Sequence, residues 1–404
     1  MKAYNLVTIN LLTFLLLAGC QPKEPAGITT IDILKGAGNE KEFRLSEIID
    51  DVEYVKLETT KECLLAWASY SVGEKYILAV QNYDPAQIYL FGRDGKFIRK
   101  IGGEGKGPQE YTSLSTVVTD PEETFILAND YQRDVIIRYD FEGNVTGSFA
   151  SKEQLGGEVA GILVGSSDEI WLRMEYPMLE TKNFCLIRKI NREWLQTDSL
   201  YPVSTGVTAG NGFSWNSGDF YLYNGSLRFR QFGFDTLFTW AGLERKPLAV
   251  FPVAADHLPG PYLVSGLHKR MSDYTNVFWL AELPGYFILG TMIAPGRQSE
   301  MVYNKSTGEL FSLKKLPPCP PDTVYRRRYV NDIDGISDPS VLLPQRGLFT
   351  VAHQVIDLRD KMAPDCGRPS EIRFPEKRAK LVTLVGASSE EDNPILQIFR
   401  LKRE

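Results

Sequence analysis

Histidine is the scarcest chemistry-bearing residue in this chain, with three in 404 residues, and this bounds what the protein can do. His257, His268 and His353 stand far apart with none at ligand spacing, so a histidine-built zinc centre is not supported. Cysteine is nearly as rare: five residues and no CxxC pair, which removes zinc ribbons and dithiol redox motifs. A basic excess is missing too. The formal charge is −6, against the basic domain that a nucleic-acid footprint requires. No GxSxG element supplies a nucleophile elbow. The glycine run Gly102–Gly107 is followed by neither a helix nor a Lys-Ser/Thr pair, so it is not a nucleotide loop. Beyond the first 20 residues no apolar run reaches about 18, the length of a spanning helix. Neither a catalytic constellation nor a cofactor-binding motif emerges.

What the chain does have is a repeat. Gln87–Ile101 lies on Val135–Phe149 at a shift of 48 positions: Ile88 falls on Ile136, Phe91 on Tyr139, Gly95 on Gly143 and Ile101 on Phe149. Each copy reads as two strands joined by a tight turn. Asp94-Gly95 and Glu142-Gly143 supply the positive-φ residue such a turn needs. A unit of about 40–50 residues built this way is a propeller blade of four antiparallel strands. Alternating runs continue the pattern: blade one over Leu64–Gly102, blade two over Ser115–Ala150, blade three over Val159–Leu200, blade four from Phe220 and blade five from Val277. Blade six is the least regular. Its inner strands are expected at Ser340–Leu343 and Leu348–His353, and Ile395–Leu401 is a final strand. Between them Glu376–Ala387 reads as a short helix with an apolar side at Ala379, Leu381, Val382 and Leu384. A ring must join its ends or expose two sheet edges, so the alternating strand near Val55 is expected to complete the last blade. Ile136 and Tyr139, on opposite faces of one strand, should both be packed between blades.

The N-terminus reads as a targeting segment, with Lys2 ahead of an apolar stretch from Leu6 to Leu17. Leu17-Ala18-Gly19-Cys20 resembles the bacterial lipobox, which implies that Cys20 is lipidated and becomes the first mature residue. The expected organisation is a signal peptide over 1–19, a lipidated flexible tether over 20–42 and a propeller over 43–404. Of the other cysteines, Cys319 and Cys366 are the pair best placed to bridge, although free buried thiols are the favoured reading for Cys63, Cys185, Cys319 and Cys366.

Four further stretches sharpen the reading. Gly107-Pro108-Gln109-Glu110-Tyr111 resembles the inter-blade motif of NHL-type propellers, with Gln109 where that motif usually has glycine. Tyr54-Val55-Lys56-Leu57-Glu58-Thr59, Asn331-Asp332-Ile333-Asp334-Gly335 and Asn393-Pro394-Ile395-Leu396 resemble segments of the six-bladed β-propeller lipoproteins of Gram-negative anaerobes, a family of unknown function. The resemblance covers about Val52 to Glu404. It implies an all-β, six-bladed, NHL-like propeller and no activity. Glu110 and Tyr111 are expected to lock their turn. Asn331–Asp338 has some flavour of a calcium loop but lacks the spacing and the distal glutamate, so an acidic turn is the plainer reading.

Arg326-Arg327-Arg328, beside Tyr325 and Tyr329, is the densest basic cluster. Guanidinium forks suit carboxylates and sulfated sugars, so Arg326, Arg327, Arg328 and Tyr329 are the candidate binding residues, set against a solvated loop as the bland alternative. The leading functional expectation is a lipid-anchored envelope module that binds or scaffolds a glycan, a peptide or an envelope protein, in the outer membrane. Its partners are then the membrane, through the anchor, and an envelope protein or glycan, with no nucleic acid. The alternatives are an NHL-like lyase or hydrolase using the central funnel, and a sensory domain. Inward Asp, Glu and His would favour the enzyme, and an aromatic, Arg-rich face would favour binding.

Overall fold

The computed structural model describes residues 27–403, apart from 83–84, 166–167, 175–185, 201–218, 231–233, 242–243, 253–272, 318–327, 337–343 and 363–370. Three N-terminal strands come first: β1 (Thr29–Thr30), β2 (Glu40–Lys41) and β3 (Ile49–Lys56), with a short helix α1 (Ile33–Gly36) between the first two. Blade one is β4 (Ser69–Val72), β5 (Tyr76–Gln81), β6 (Gln87–Gly92) and β7 (Phe97–Ile101). Blade two is β8 (Leu114–Thr119), β9 (Ile126–Asp130), β10 (Val135–Tyr139) and β11 (Val145–Ala150), followed by the single turn α2 (Ser151–Leu155). Blade three is β12 (Val159–Val164), β13 (Ile170–Met174), β14 (Ile187–Ile190) and β15 (Gln196–Leu200). Blade four is β16 (Asp219–Tyr223), β17 (Ser226–Arg230), β18 (Thr236–Ala241) and β19 (Glu244–Val250). Blade five is β20 (Asn276–Leu283), β21 (Tyr286–Ile293), β22 (Arg297–Asn304) and β23 (Leu310–Leu313). Blade six holds β24 (Leu348–His353) and β25 (Ile395–Leu401), with helices α3 (Val355–Lys361) and α4 (Pro375–Gly386) inserted between them. The expected inner strand at Ser340–Leu343 lies outside the described residues.

The fold is the expected six-bladed β-propeller. β3 pairs antiparallel with β25, placing Tyr54 opposite Gln397 and Val55 opposite Leu396, so a strand from the N-terminal part and the C-terminal strand share the last blade. Each blade-to-blade interface carries its own apolar cluster, including the one that joins blade six to blade one through Val55, Ile77, Phe91 and Ile398. Period-two alternation explains how one strand serves two interfaces. Ile136 packs toward blade three and Tyr139 toward blade one, and neither is solvent-exposed. The turn glycines behave as their chemistry requires. Gly95 and Gly143 have φ of 86° and 90°, and a Cβ on Gly95 would lie 2.2 Å from the Lys56 carbonyl oxygen.

Two features differ from expectation. The tether expected over 20–42 does not stay loose up to 42, because from Thr29 onward the chain is a belt around the rim. β1 runs parallel to β19 on blade four, β2 runs parallel to β23 on blade five, and β3 completes blade six. Ile31, Ile33 and Phe43 are fully buried under this belt. Local polarity had hidden a docked segment whose few apolar residues fall at the rim contacts. In α4 the buried face is Arg378, Leu381 and Val385, not Ala379 and Val382. Arg378 turns inward because its guanidinium donates to the Asp334 carbonyl oxygen at 2.6 Å.

Candidate functional site

Antiparallel blades have two unlike ends. The turns within β4–β5, β6–β7 and their counterparts gather at one end, and the crossings between blades emerge at the other. The turn end is tied shut on one side. Arg346, in the hairpin before β24, donates to the Thr119 carbonyl oxygen and, at 2.8 Å, to the Thr119 hydroxyl, reaching past blade one to blade two. Burial pushes the Arg346 pKa down, opposed by Glu123, Asp120 and Glu122. Glu123 meanwhile accepts from the amides of Lys75 and Tyr76 at 2.8 and 3.1 Å, fastening the neighbouring turn.

The crossing end presents side chains. Between blades one and two, the Gly102–Tyr111 crossing is locked as expected: Glu110 accepts from the Gly107 amide at 2.7 Å, and the buried Tyr111 hydroxyl donates to the Ile101 carbonyl at 2.9 Å and accepts from the Ile88 amide at 3.0 Å. Burial drives the Tyr111 pKa well up. The crossing from β3 to β4 is held more firmly still. Asn393, buried, donates its Nδ2 to the carbonyls of Glu58 and Cys63 at 2.6 and 2.7 Å, and its Oδ1 accepts from the Leu65 amide at 2.8 Å. Gln81 Oε1 accepts from the Ala66 amide at 2.8 Å. Cys63, free and buried, donates its thiol to the Glu58 carbonyl. On this pinned backbone Leu65 and Ala68 pack inward, while Leu64 is 57% and Trp67 97% exposed. Trp67 is the most exposed large apolar side chain among the described residues. An exposed apolar side chain on a backbone held by buried hydrogen bonds loses little conformational freedom when it is covered.

A second concentration of polar groups lies inside blades four and five. Asp219 accepts from Arg230 Nε at 2.7 Å and from the Leu280 amide at 3.0 Å. Burial raises its carboxyl pKa, opposed by Arg230 and by Arg173 of blade three. Glu282 gathers Arg228 Nε at 3.1 Å, Lys305 Nζ at 3.0 Å and the Tyr221 hydroxyl at 3.2 Å. These charges are buried and mutually paired, so they join blades three, four and five.

Blade six holds a third network around Asp334, which is fully buried. Its carboxylate accepts from the Tyr54 hydroxyl, Gln397 Nε2 and Asn331 Nδ2, and burial raises its pKa. Because Gln397 Nε2 faces Asp334, its Oε1 faces His353 at 2.8 Å, which puts the imidazole proton on Nε2. His353 Nδ1 then stays a bare buried acceptor, and desolvation pushes the imidazole pKa down to about 4. Asp332 is equally committed, accepting from the Ser46 amide and hydroxyl at 2.9 and 2.6 Å beside Arg44. The described part of the stretch with a calcium-loop flavour, residues 331–336, is therefore a hub of intramolecular hydrogen bonds.

Of the predicted binding residues, Arg328 and Tyr329 are described. Arg326 and Arg327 lie outside the described residues, as do Cys20, Cys185, Cys319, Cys366, His257 and His268. Arg328 is ion-paired with the buried Glu300. Tyr329 is fully buried, hydrogen-bonded to Glu300 at 3.2 Å and set edge-on to Phe43, so it belongs to the core under the belt instead of a ligand face. The residue that sequence reasoning passed over is Trp67. Its signal was the five apolar residues Leu64–Ala68 in a stretch that must cross between blades.

With this geometry in place, the family model described as Domain of unknown function (DUF4934) matches residues 28–400. Among solved structures, a predicted exported protein of Bacteroides fragilis aligns with a TM-score of 0.62 at 16% identity, covering 93% of this chain and 100% of that one. A member of the duf4221 family from Bacteroides vulgatus aligns at 0.49 and 11% identity, covering 88% and 98%. A streptogramin B lyase aligns at 0.37 and 12%, covering 65% and 72%. No curated protein matches. The Bacteroides fragilis likeness is one of fold.

Proposed function

The chain belongs to the DUF4934 family, and from that premise we propose that it is a lipid-anchored binding module of the cell envelope, using the crossing end of its propeller as the contact face. The carrying observation is Trp67, an indole 97% exposed on a backbone that Asn393 and Gln81 hold in place. Folding leaves so large an apolar side chain in water at a cost that an encounter recovers. Export is supported by the leader ending at Cys20 and by the name of the Bacteroides fragilis neighbour. Anchoring follows from Cys20, because several acyl chains hold a protein stably where one is marginal.

Fractionation tests both parts. Cys20→Ala should move the protein from the membrane to the soluble fraction, and that soluble variant, added back to envelopes lacking the native protein, should bind saturably. Continued membrane association would refute the anchor. Absent or non-saturable rebinding would refute the binding module.

A further inference from the structure

We infer that the Leu64–Trp67 ridge is the knob of a protein–protein contact, received by an apolar pocket on an envelope protein. This rests on the binding reading above and names the chemistry of its partner.

Three observations decide the class of ligand. The first is composition. Leu64-Leu65-Ala66-Trp67-Ala68 carries no hydrogen-bonding side chain except the indole N–H. The buried polar side chains beneath it are consumed by backbone groups: Asn393 holds Glu58, Cys63 and Leu65, and Gln81 holds Ala66. A sugar stacks on one ring face and also needs donors and acceptors beside that face. The second is exposure. At 97% neither face of the indole lies on the protein, so a surface that buries it must surround it. Pockets that enclose a projecting aromatic are typical of protein hot spots. Ile356 and Val382, 48% and 47% exposed on the helices inserted in blade six, add apolar surface at the same crossing end.

The third observation argues against the anchoring bilayer as the occupant. The chain enters the fold at β1, on the rim of blade four, running parallel to β19 and so toward the crossing end. Residues 20–28 can reach at most about 30 Å when fully extended. In a ring of six, blade four lies across from blade one, which Trp67 introduces. The anchor therefore attaches to the rim opposite the blade that the ridge introduces. Lys61 and Glu62 flank the ridge with opposite charges, so it carries no field that would seek an anionic headgroup.

The test uses the full-length lipoprotein in its own envelope, with a benzophenone amino acid in place of Trp67 or, as a control, of Leu195, which is 63% exposed in a turn at the other end. Illumination should give one protein adduct from position 67 and none from position 195. The crosslinked partner peptide, read by mass spectrometry, should be rich in Leu, Ile, Val, Met or Phe. Leu64→Asp should cut adduct yield tenfold or more. Against the purified partner, Trp67→Ser should weaken binding at least tenfold while Trp67→Phe retains most of it, and higher salt should change little. A lipid, glycan or self-adduct, or equal labelling from position 195, overturns the inference and leaves the binding module standing. No adduct from position 67 also overturns it, and only failed rebinding of the soluble Cys20→Ala variant removes the binding reading as well.

Discussion

Replacing Asn393 by alanine should loosen the ridge and the ring together. Asn393 is buried and its side chain satisfies three backbone groups: the carbonyls of Glu58 and Cys63, and the amide of Leu65. A buried group left without a partner costs about 1–3 kcal/mol. Lys61, Glu62 and Leu64 are exposed, so water can reach part of the opened segment, and not all three groups would be orphaned. A loss of about 2–4 kcal/mol is the expected outcome, read from urea midpoints at pH 7. Asn393→Asp sharpens the test. A carboxylate can still accept from the Leu65 amide, but it then faces the Glu58 and Cys63 carbonyl oxygens with no proton to give. Asn393→Asp should therefore be at least as damaging as Asn393→Ala. Hydrogen exchange should localise the effect, with the Leu65 and Ala66 amides losing protection in both variants. A loss below about 0.5 kcal/mol for Asn393→Ala, or a milder effect from aspartate, would show that the clamp does not hold the crossing.

Two further outcomes follow from burial. Ile136→Ala, which empties a site between blades two and three lined by Leu127, Phe149 and Leu172, should cost about 2–5 kcal/mol by denaturant titration, and an exposed-site value near zero would contradict the packing. His353 should make stability depend on acid. Its folded pKa of about 4 lies below the usual 6.5, so the unfolded chain takes up the proton first, and a contribution of about 3 kcal/mol, complete above pH 6.5, is lost as pH falls toward 4. His353→Gln should flatten that part of the profile, and identical pH profiles for the two proteins would show that the imidazole is solvated.

Repetition made the ring legible in the sequence, because the same apolar spacing returned with the same turn glycine at 95 and 143. The belt was not legible. Residues 29–42 carry only a few apolar positions, and nothing local says that Ile31 and Ile33 meet blade four while Phe43 reaches Tyr329. Arg326–Arg328 looked like one cationic face. Of that cluster Arg328, the described member, answers a buried glutamate, which no periodicity announces. His353 was unremarkable as a lone histidine, since its bare nitrogen exists only because Gln397 is turned toward Asp334. Trp67 could have been found by asking which apolar run fell outside every strand.

The stretches that carried the family resemblance converge on one place, and the convergence has a physical cause. Tyr54, Gln397 and Asn331 all hydrogen-bond Asp334, and Asn393 grips the segment that follows β3. This is the seam where β3 meets β25, the last described strand, across more than three hundred residues of intervening chain. Loop-closure entropy rises only slowly with length, so the difficulty of the seam is less its cost than its uniqueness. An N-terminal strand with a half-apolar face could slip by two residues along β25 and keep its alternation. A buried carboxylate that must receive the Tyr54 hydroxyl and the Gln397 amide at once forbids that slip, because either partner displaced would leave a charge unsatisfied. Motifs of this kind report how the ring closes and are silent about what it binds. Asn393 is where the two meet: from the closing strand's first turn it fixes the crossing that lifts Trp67 into solvent.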